Sequence, residues 1–184
     1  MARVVRFHKT GGPEVLTVDQ VDVPMPGPGE VRIAVKALGL NRAESMFRSG
    51  TYLEQPKFPA RLGYEAAGTV EALGKGVQGL EVGDAVSTVP AFSMNQYGVY
   101  GDTAIVPAFA VAKHPASLSW TEAAALWMQY ATAYGALIDI AGLKANDTLL
   151  ISAASSSVGI AAIQIARMIG ATPVALTRRS NKRR

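Results

Sequence analysis

The segment Ala154-Ser155-Ser156-Ser157-Val158-Gly159 lies between an apolar run beginning at Thr148 and a helical pattern that leads to a second apolar run ending near Thr177. Strand, tight turn, helix and strand in that order can hold a dinucleotide pyrophosphate at a helix N-terminus. The usual fingerprint is Gly-x-Gly-x-x-Gly, and its three positions are Ala154, Ser156 and Gly159 here. Ala and Ser still let a phosphate approach the backbone. Ser155, Ser156 and Ser157 add hydroxyls where phosphate oxygens would sit, and the amides of Ser157, Val158 and Gly159 fall at the positive end of the helix dipole. A purely structural reading stands beside this one, because Gly159 alone also permits close helix–strand packing.

The residues after the second run carry further chemistry. A unit that binds NAD often ends this strand with Asp or Glu, which grips the ribose 2′-hydroxyl. Here the stretch is Thr177-Arg178-Arg179-Ser180-Asn181-Lys182, without an acid. Arg and Lys attract a 2′-phosphate that a carboxylate would repel. The residues therefore favour NADP(H) over NAD(H). The bland alternative is a solvated basic tail.

Positioning these residues requires an α/β part, and it follows a different region. Val4–Phe7, Val15–Val18, Val31–Leu38, Ala66–Ala72, Ala85–Val89 and Thr103–Val106 read as short strands. Turn residues bound them at Gly11–Pro13, Pro24–Pro28, Gly74–Gly76, Gly83–Asp84 and Gly98–Gly101. Such spacing predicts a β-barrel or sandwich. One short helix is predicted over Arg42–Arg48. Ser119-Trp120-Thr121-Glu122 fits a capping box, and a stripe at Ala124, Trp127, Met128, Ala131, Gly135 and Ile138 predicts one helix reaching Gly142. The predicted fold is α/β with a β-rich part, divided into residues 1–120 and 121–184.

Composition removes several classes. The chain has no cysteine, which excludes disulfides, iron–sulfur clusters and cysteine-ligated zinc. His8 and His114 have no Cys, Asp or second His near them in sequence. The serine run lacks Gly-x-Ser-x-Gly, which argues against a serine hydrolase. Five of the 18 Lys and Arg fall within residues 178–184, leaving 13 against 14 acids in the body. That near-neutral body argues against nucleic acid as a partner. Neither an apolar leader nor a membrane-length apolar run is evident, so a soluble, cytoplasmic protein without membrane contact is expected.

Six pieces together resemble the medium-chain dehydrogenase/reductase superfamily, in its zinc-independent quinone oxidoreductase, or zeta-crystallin-like, branch. They are FHKTGGPEVL, PGPGEVRIAVKALGLNRAE, RSGTY, LGYEAAGTVEALGKGV, VGDAV and SAASSSVGIAAIQIARMIGATP, in the family's order. The resemblance implies a GroES-like β-barrel domain followed by the first βαβ unit of a Rossmann domain. It covers about the first half of a family member, so a truncated domain and an inactive isolated chain are expected. Zinc-dependent members place Cys in a Gly-x-Cys segment and His in a Gly-His-Glu segment. This chain has Gly39-Leu40-Asn41 and Gly63-Tyr64-Glu65 instead. Asn and Tyr are poor zinc ligands, so no metal is expected.

What the resemblance implies chemically is hydride transfer from NADPH to a quinone or an α,β-unsaturated carbonyl. By the same resemblance Asn41 lies near the nicotinamide, Tyr52 near the substrate, and Gln129 and Thr132 contact the nicotinamide end. Family members are commonly homo-oligomers, and this branch includes RNA binders. Met46 stands where the family often has another Tyr. Competing readings remain open: Asn41 as a helix cap, Tyr52 and Tyr64 as packed core, Glu65 as a buried structural carboxylate, and the chain as a folded non-catalytic fragment or interaction module. An alcohol dehydrogenase reading is weakest, since no group that would stabilise an alkoxide is evident.

Overall fold

A computed structural model describes residues 1–177 and divides the chain into two compact units, Met1–Trp127 and Met128–Arg184. In the first unit, β1 (Ala2–Phe7) pairs antiparallel with β2 (Leu16–Val21) and β4 (Ala60–Arg61). The second sheet has the order β7-β3-β5-β6-β8, with β3 Glu30–Gly39, β5 Glu65–Leu73, β6 Ala85–Thr88, β7 Thr103–Pro107 and β8 Val111–Lys113. All its pairings are antiparallel. A bridge from Val4 to Gly101 links the two ladders. The core beneath them includes Val4, Phe7, Val31, Ile33, Phe47, Val70, Val86 and Val106, all fully or nearly fully buried.

All six strands predicted for this region form, with ends shifted by at most three residues. β4 and β8 were not predicted. They are two and three residues long, too short to carry a period-2 pattern. Two further helices lie in this unit, α1 (Arg42–Ser49) and the four-residue α2 (Met94–Tyr97).

The predicted helix from Ser119 forms in pieces. Ser119 caps α3 (Trp120–Ala124) with the expected capping box. The helix then breaks at Ala125, where φ is −115° and ψ is 28°. It resumes as α4 (Trp127–Tyr134) and ends in a π-helical turn over Gly135–Ile140. The break follows from packing. Ala123 and Ala124 are buried against Ala67 of β5, and the Ala124 carbonyl lies so close to Gly39 that any Cβ there would collide with it. The capping-box helix thus packs into the first unit, against β3, β5 and β6.

The second unit contains α4, β9 (Thr148–Ile151), α5 (Ser157–Met168) and β10 (Thr172–Ala175). β9 and β10 pair in parallel, as a βαβ crossover demands. Ala133 of α4 packs with Ile151, Ala154, Ala161, Ala162 and Ile165 in a core of its own. Among the described residues no helix is long and apolar enough to cross a membrane.

Candidate functional site

In the first unit the chemistry gathers around the N-terminus of α1. Asn41 is the extended N-cap residue (φ −127°, ψ 159°), and its N–H donates to Glu44 Oε2 at 2.8 Å. Asn41 Nδ2 donates to Glu65 Oε2, also at 2.8 Å. Glu44 Oε1 accepts from the Tyr64 N–H at 3.2 Å. Two carboxylates, 5 % and 3 % exposed, therefore flank one asparagine. Burial pushes the Glu44 carboxyl above the usual range, and the negative charge of Glu65 adds to the rise; the N–H groups it accepts pull the other way. Thr88 sets the backbone on either side of Glu65, since its Oγ1 donates to Tyr64 O and accepts from Ala66 N, both at 2.8 Å.

Tyr52 is half-buried on the loop after α1. Its ring meets Phe47 edge-on at 6.4 Å and Tyr64 at 6.4 Å. Tyr64 is buried. Burial first, then hydrogen bonding and charge from Tyr52, hold its phenol above the usual tyrosine range. Tyr100 is buried too and donates to Gly39 O at 3.1 Å; burial, then the charges of Glu44 and Glu65, raise it in the same direction. Both phenols are therefore protonated donors at neutral pH.

The first unit brings Asn41, Tyr52, Tyr64 and Glu65 into one connected cluster. Glu44 and Thr88 are the members missed in sequence. Glu44 had a signal, because Asn-x-x-Glu is the spacing of a capping box. Thr88 had none, as its partners are more than twenty residues away. His8, without an acidic neighbour in sequence, gains one from the fold: its Nε2 lies 3.5 Å from Asp19 Oδ2. Among the described residues no group of three or more His, Cys, Asp or Glu is placed to hold a metal.

In the second unit Ser156 is the N-cap of α5, and its Oγ accepts from the Gly159 N–H at 3.1 Å. That engages both the Ser156 hydroxyl and the Gly159 amide, which the sequence had counted toward phosphate. Ser157 and Val158 occupy the first two helical positions, where a helix has no acceptor of its own for the N–H. Ser155 and Ser157 are exposed, and Ala153 turns the chain with φ 49°. Ala154 is buried and donates to Leu176 O at 3.2 Å. A Cβ on Gly159 would come within 2.8 Å of Ala154 Cα, so helix and turn are in van der Waals contact there. Gln129 is half-buried on α4; Thr132 is exposed and donates to Met128 O at 2.6 Å. Thr177 is exposed just beyond β10, whereas Arg178, Ser180 and Lys182 lie outside the described residues.

A β-rich unit with an Asn-capped helix beside a buried Gly-Tyr-Glu segment, then a parallel βαβ unit with a capped small-residue turn, is an arrangement that comparison can place. Residues 27–116 match the family described as Alcohol dehydrogenase GroES-like domain. The chain is 40 % identical to the human protein named quinone oxidoreductase over 92 % of this chain and 51 % of the relative. The chain belongs to the medium-chain dehydrogenase/reductase superfamily. Quinone oxidoreductase 1 of Escherichia coli (strain K12) is 35 % identical over 93 % of this chain and 51 % of that relative. The crystal structure of Escherichia coli quinone oxidoreductase complexed with NADPH superimposes with a TM-score of 0.86 and 33 % identity, over 98 % of this chain and 54 % of that one. The chain thus spans about half the length of the superfamily members it matches.

Proposed function

We propose that this chain forms part of a zinc-independent reductase that uses NADPH to reduce quinones or α,β-unsaturated carbonyls. The observation that carries the reading is the capped turn of the second unit. Its helix N-terminus presents the Ser157 and Val158 amides and the exposed Ser155 and Ser157 hydroxyls, and Gly159 leaves no Cβ between helix and turn. Such a cradle fits a pyrophosphate. Ser155, Ser157, Val158 and the backbone around Ala154 and Ser156 would hold it. Arg178, Ser180 and Lys182, with Thr177, would select the 2′-phosphate. Gln129 and Thr132 would meet the nicotinamide end. NADPH supplies the hydride.

The chain's own groups do the rest. Tyr52 donates a hydrogen bond to the acceptor oxygen, where negative charge grows as hydride arrives. The raised Tyr64 phenol behind it stays protonated. Asn41, tied to Glu65 through Nδ2, would meet the nicotinamide by its resemblance to the family. The absence of zinc chemistry is supported by donor type, since Asn41 and Tyr64 stand where zinc-dependent relatives carry Cys and His. The same proposal includes a cytoplasmic, oligomeric parent.

NADPH and NADH oxidation over a panel of quinones and enones tests the reading, using the gene product extended to the relatives' length. NADPH should be preferred at least tenfold, about 1.4 kcal/mol in transition-state terms. Equal or reversed preference rejects the cofactor assignment, and stoichiometric zinc in the active protein rejects the zinc-free mechanism.

A further inference from the structure

Tyr52 sits on a loop that joins α1 to β4, and this loop is held in an unusual way. Its residues 51, 53, 55, 57 and 58 are exposed, with Leu53 94 % exposed. Among the described residues no backbone–backbone hydrogen bond outside helices and strands reaches residues 52–57. The ties come from Asn95 on α2. Its Oδ1 accepts from the Lys57 N–H at 2.8 Å, and its Nδ2 donates to Gln55 O at 3.0 Å. One side-chain amide thus pairs with the loop much as a neighbouring strand would. Asn95 Nδ2 also donates to Glu54 Oε2 at 3.1 Å, and Ser93 Oγ donates to the same carboxylate. The Asn95 N–H in turn donates to Ser93 Oγ at 3.1 Å. The element that carries this clasp is anchored in the core by Met94, which is 1 % exposed.

We propose that Asn95 is a positioning residue, clasping the 52–58 loop together with Glu54 so that Tyr52 is held between Phe47 and Tyr64. Its catalytic consequence rests on the reading of Tyr52 as the group that meets the acceptor. The physical argument is entropic. Fixing each loop residue costs backbone entropy, and the ring contacts of Tyr52 with Phe47 and Tyr64 do not fix the backbone of the five residues that follow it. Three hydrogen bonds to one amide, aimed at Glu54, Gln55 and Lys57, do. The competing possibility is that the contacts to Phe47 and Tyr64 hold Tyr52 by themselves.

Reversing the polarity of the clasp separates the two. Asn95→Asp sets a carboxylate against Glu54 and removes the donor. Adding Glu54→Gln restores the donor–acceptor pair at position 54 with the direction reversed, while the Gln55 carbonyl stays without the donor it had from Asn95. The 184-residue chain, labelled with 13C in its tyrosine rings, reports the Tyr52 resonances by NMR, with buried Tyr100 as the internal control for folding. In Asn95→Asp the Tyr52 resonances should move toward those of free tyrosine, and amide exchange at residues 53–57 should rise about tenfold or more. The double variant should return both in part, through the restored pair at position 54. Unmoved Tyr52 resonances in a folded Asn95→Asp chain overturn the proposal, as does a double variant that behaves like the single one. Should Asn95→Asp disturb Tyr100 as well, Asn95→Ala takes its place, with the same shift expected and the same null result overturning the clasp. Titration of the unsubstituted chain with 9,10-phenanthrenequinone tests the underlying reading apart from this: if Tyr52 does not respond to the quinone while the variants behave as expected, the substrate role of Tyr52 fails and the clasp stands.

Discussion

Asn41 Nδ2 donates to Glu65 Oε2 at 2.8 Å, joining the N-cap of α1 to the first residue of β5. The bond fixes which end of the Asn41 amide faces the carboxylate. It also gives Glu65, 3 % exposed, a donor that burial makes necessary. Asn41→Asp would place two carboxylates in contact, and Asn41→Leu would remove the donor. Each should cost about 1–3 kcal/mol in urea unfolding. The Asp variant should recover as pH falls and one carboxyl takes a proton, whereas the Leu variant should not.

Glu44 makes its own pH dependence. Burial raises its folded-state carboxyl above the unfolded value, so the folded chain binds the proton more tightly. Its contribution to stability is therefore fully present in acid, below the unfolded value, and is lost as pH rises through the folded value. Glu44→Gln has nothing to titrate and keeps one of the two acceptor oxygens, so one of the Asn41 and Tyr64 N–H groups loses its partner at a cost that does not vary with pH. Unfolding free energies of the two proteins, compared from pH 4 to 8, should show the parent losing ground against Glu44→Gln as pH rises. Parallel curves would reject the assignment.

Ser156 and Ser155 are adjacent and alike in sequence but have different partners. Ser156 Oγ accepts from the Gly159 amide, so Ser156→Ala should cost about 1 kcal/mol of stability in the second unit. Ser155 is exposed, so Ser155→Ala should leave the melting temperature in place and weaken NADPH binding. Calorimetry and fluorescence titration of the same two variants separate capping from phosphate contact.

Gly159→Ala and Gly39→Ala test two close approaches. The first would bring a Cβ to 2.8 Å from Ala154 Cα and 2.9 Å from Ala153 O; the second would drive one into the Ala124 carbonyl. Both are backbone contacts with little room to yield, so each should cost about 1–3 kcal/mol. Hydrogen exchange should place the loosening in α5 for Gly159→Ala and at the α3 break for Gly39→Ala. Unchanged exchange at those places would show that the backbone moves aside.

How much was legible follows from the range of each signal. Strands β1, β3, β5, β6 and β7 announced themselves through local apolar runs bounded by Gly and Pro, and α5 through the helical pattern after the small-residue turn. The capping box at Ser119 was equally local, and it formed. The continuous helix expected beyond it did not, because α3 packs against β3 and β5, with the Ala124 carbonyl close to Gly39 some 85 positions earlier, and no helical period reports such a contact. The turn before α5 was legible as small residues in order; which serine would cap and which would stay exposed was not, since that depends on where the helix begins to within one residue.

The amino-acid order alone determined the residue types: Asn and Tyr where zinc-dependent relatives have Cys and His, one glycine of three in the turn, and no cysteine anywhere. It also determined the longer strands, because alternation and turn residues act over a few positions. Only the tertiary structure decided partnership. Glu44 and Glu65 share one asparagine, Tyr52 leans on Tyr64, and Asn95 reaches across forty positions to the loop that carries Tyr52. Hydrogen bonds of that kind depend on distances of 3 Å between residues whose separation along the chain carries no information about them, and burial makes those of Glu44 and Glu65 obligatory.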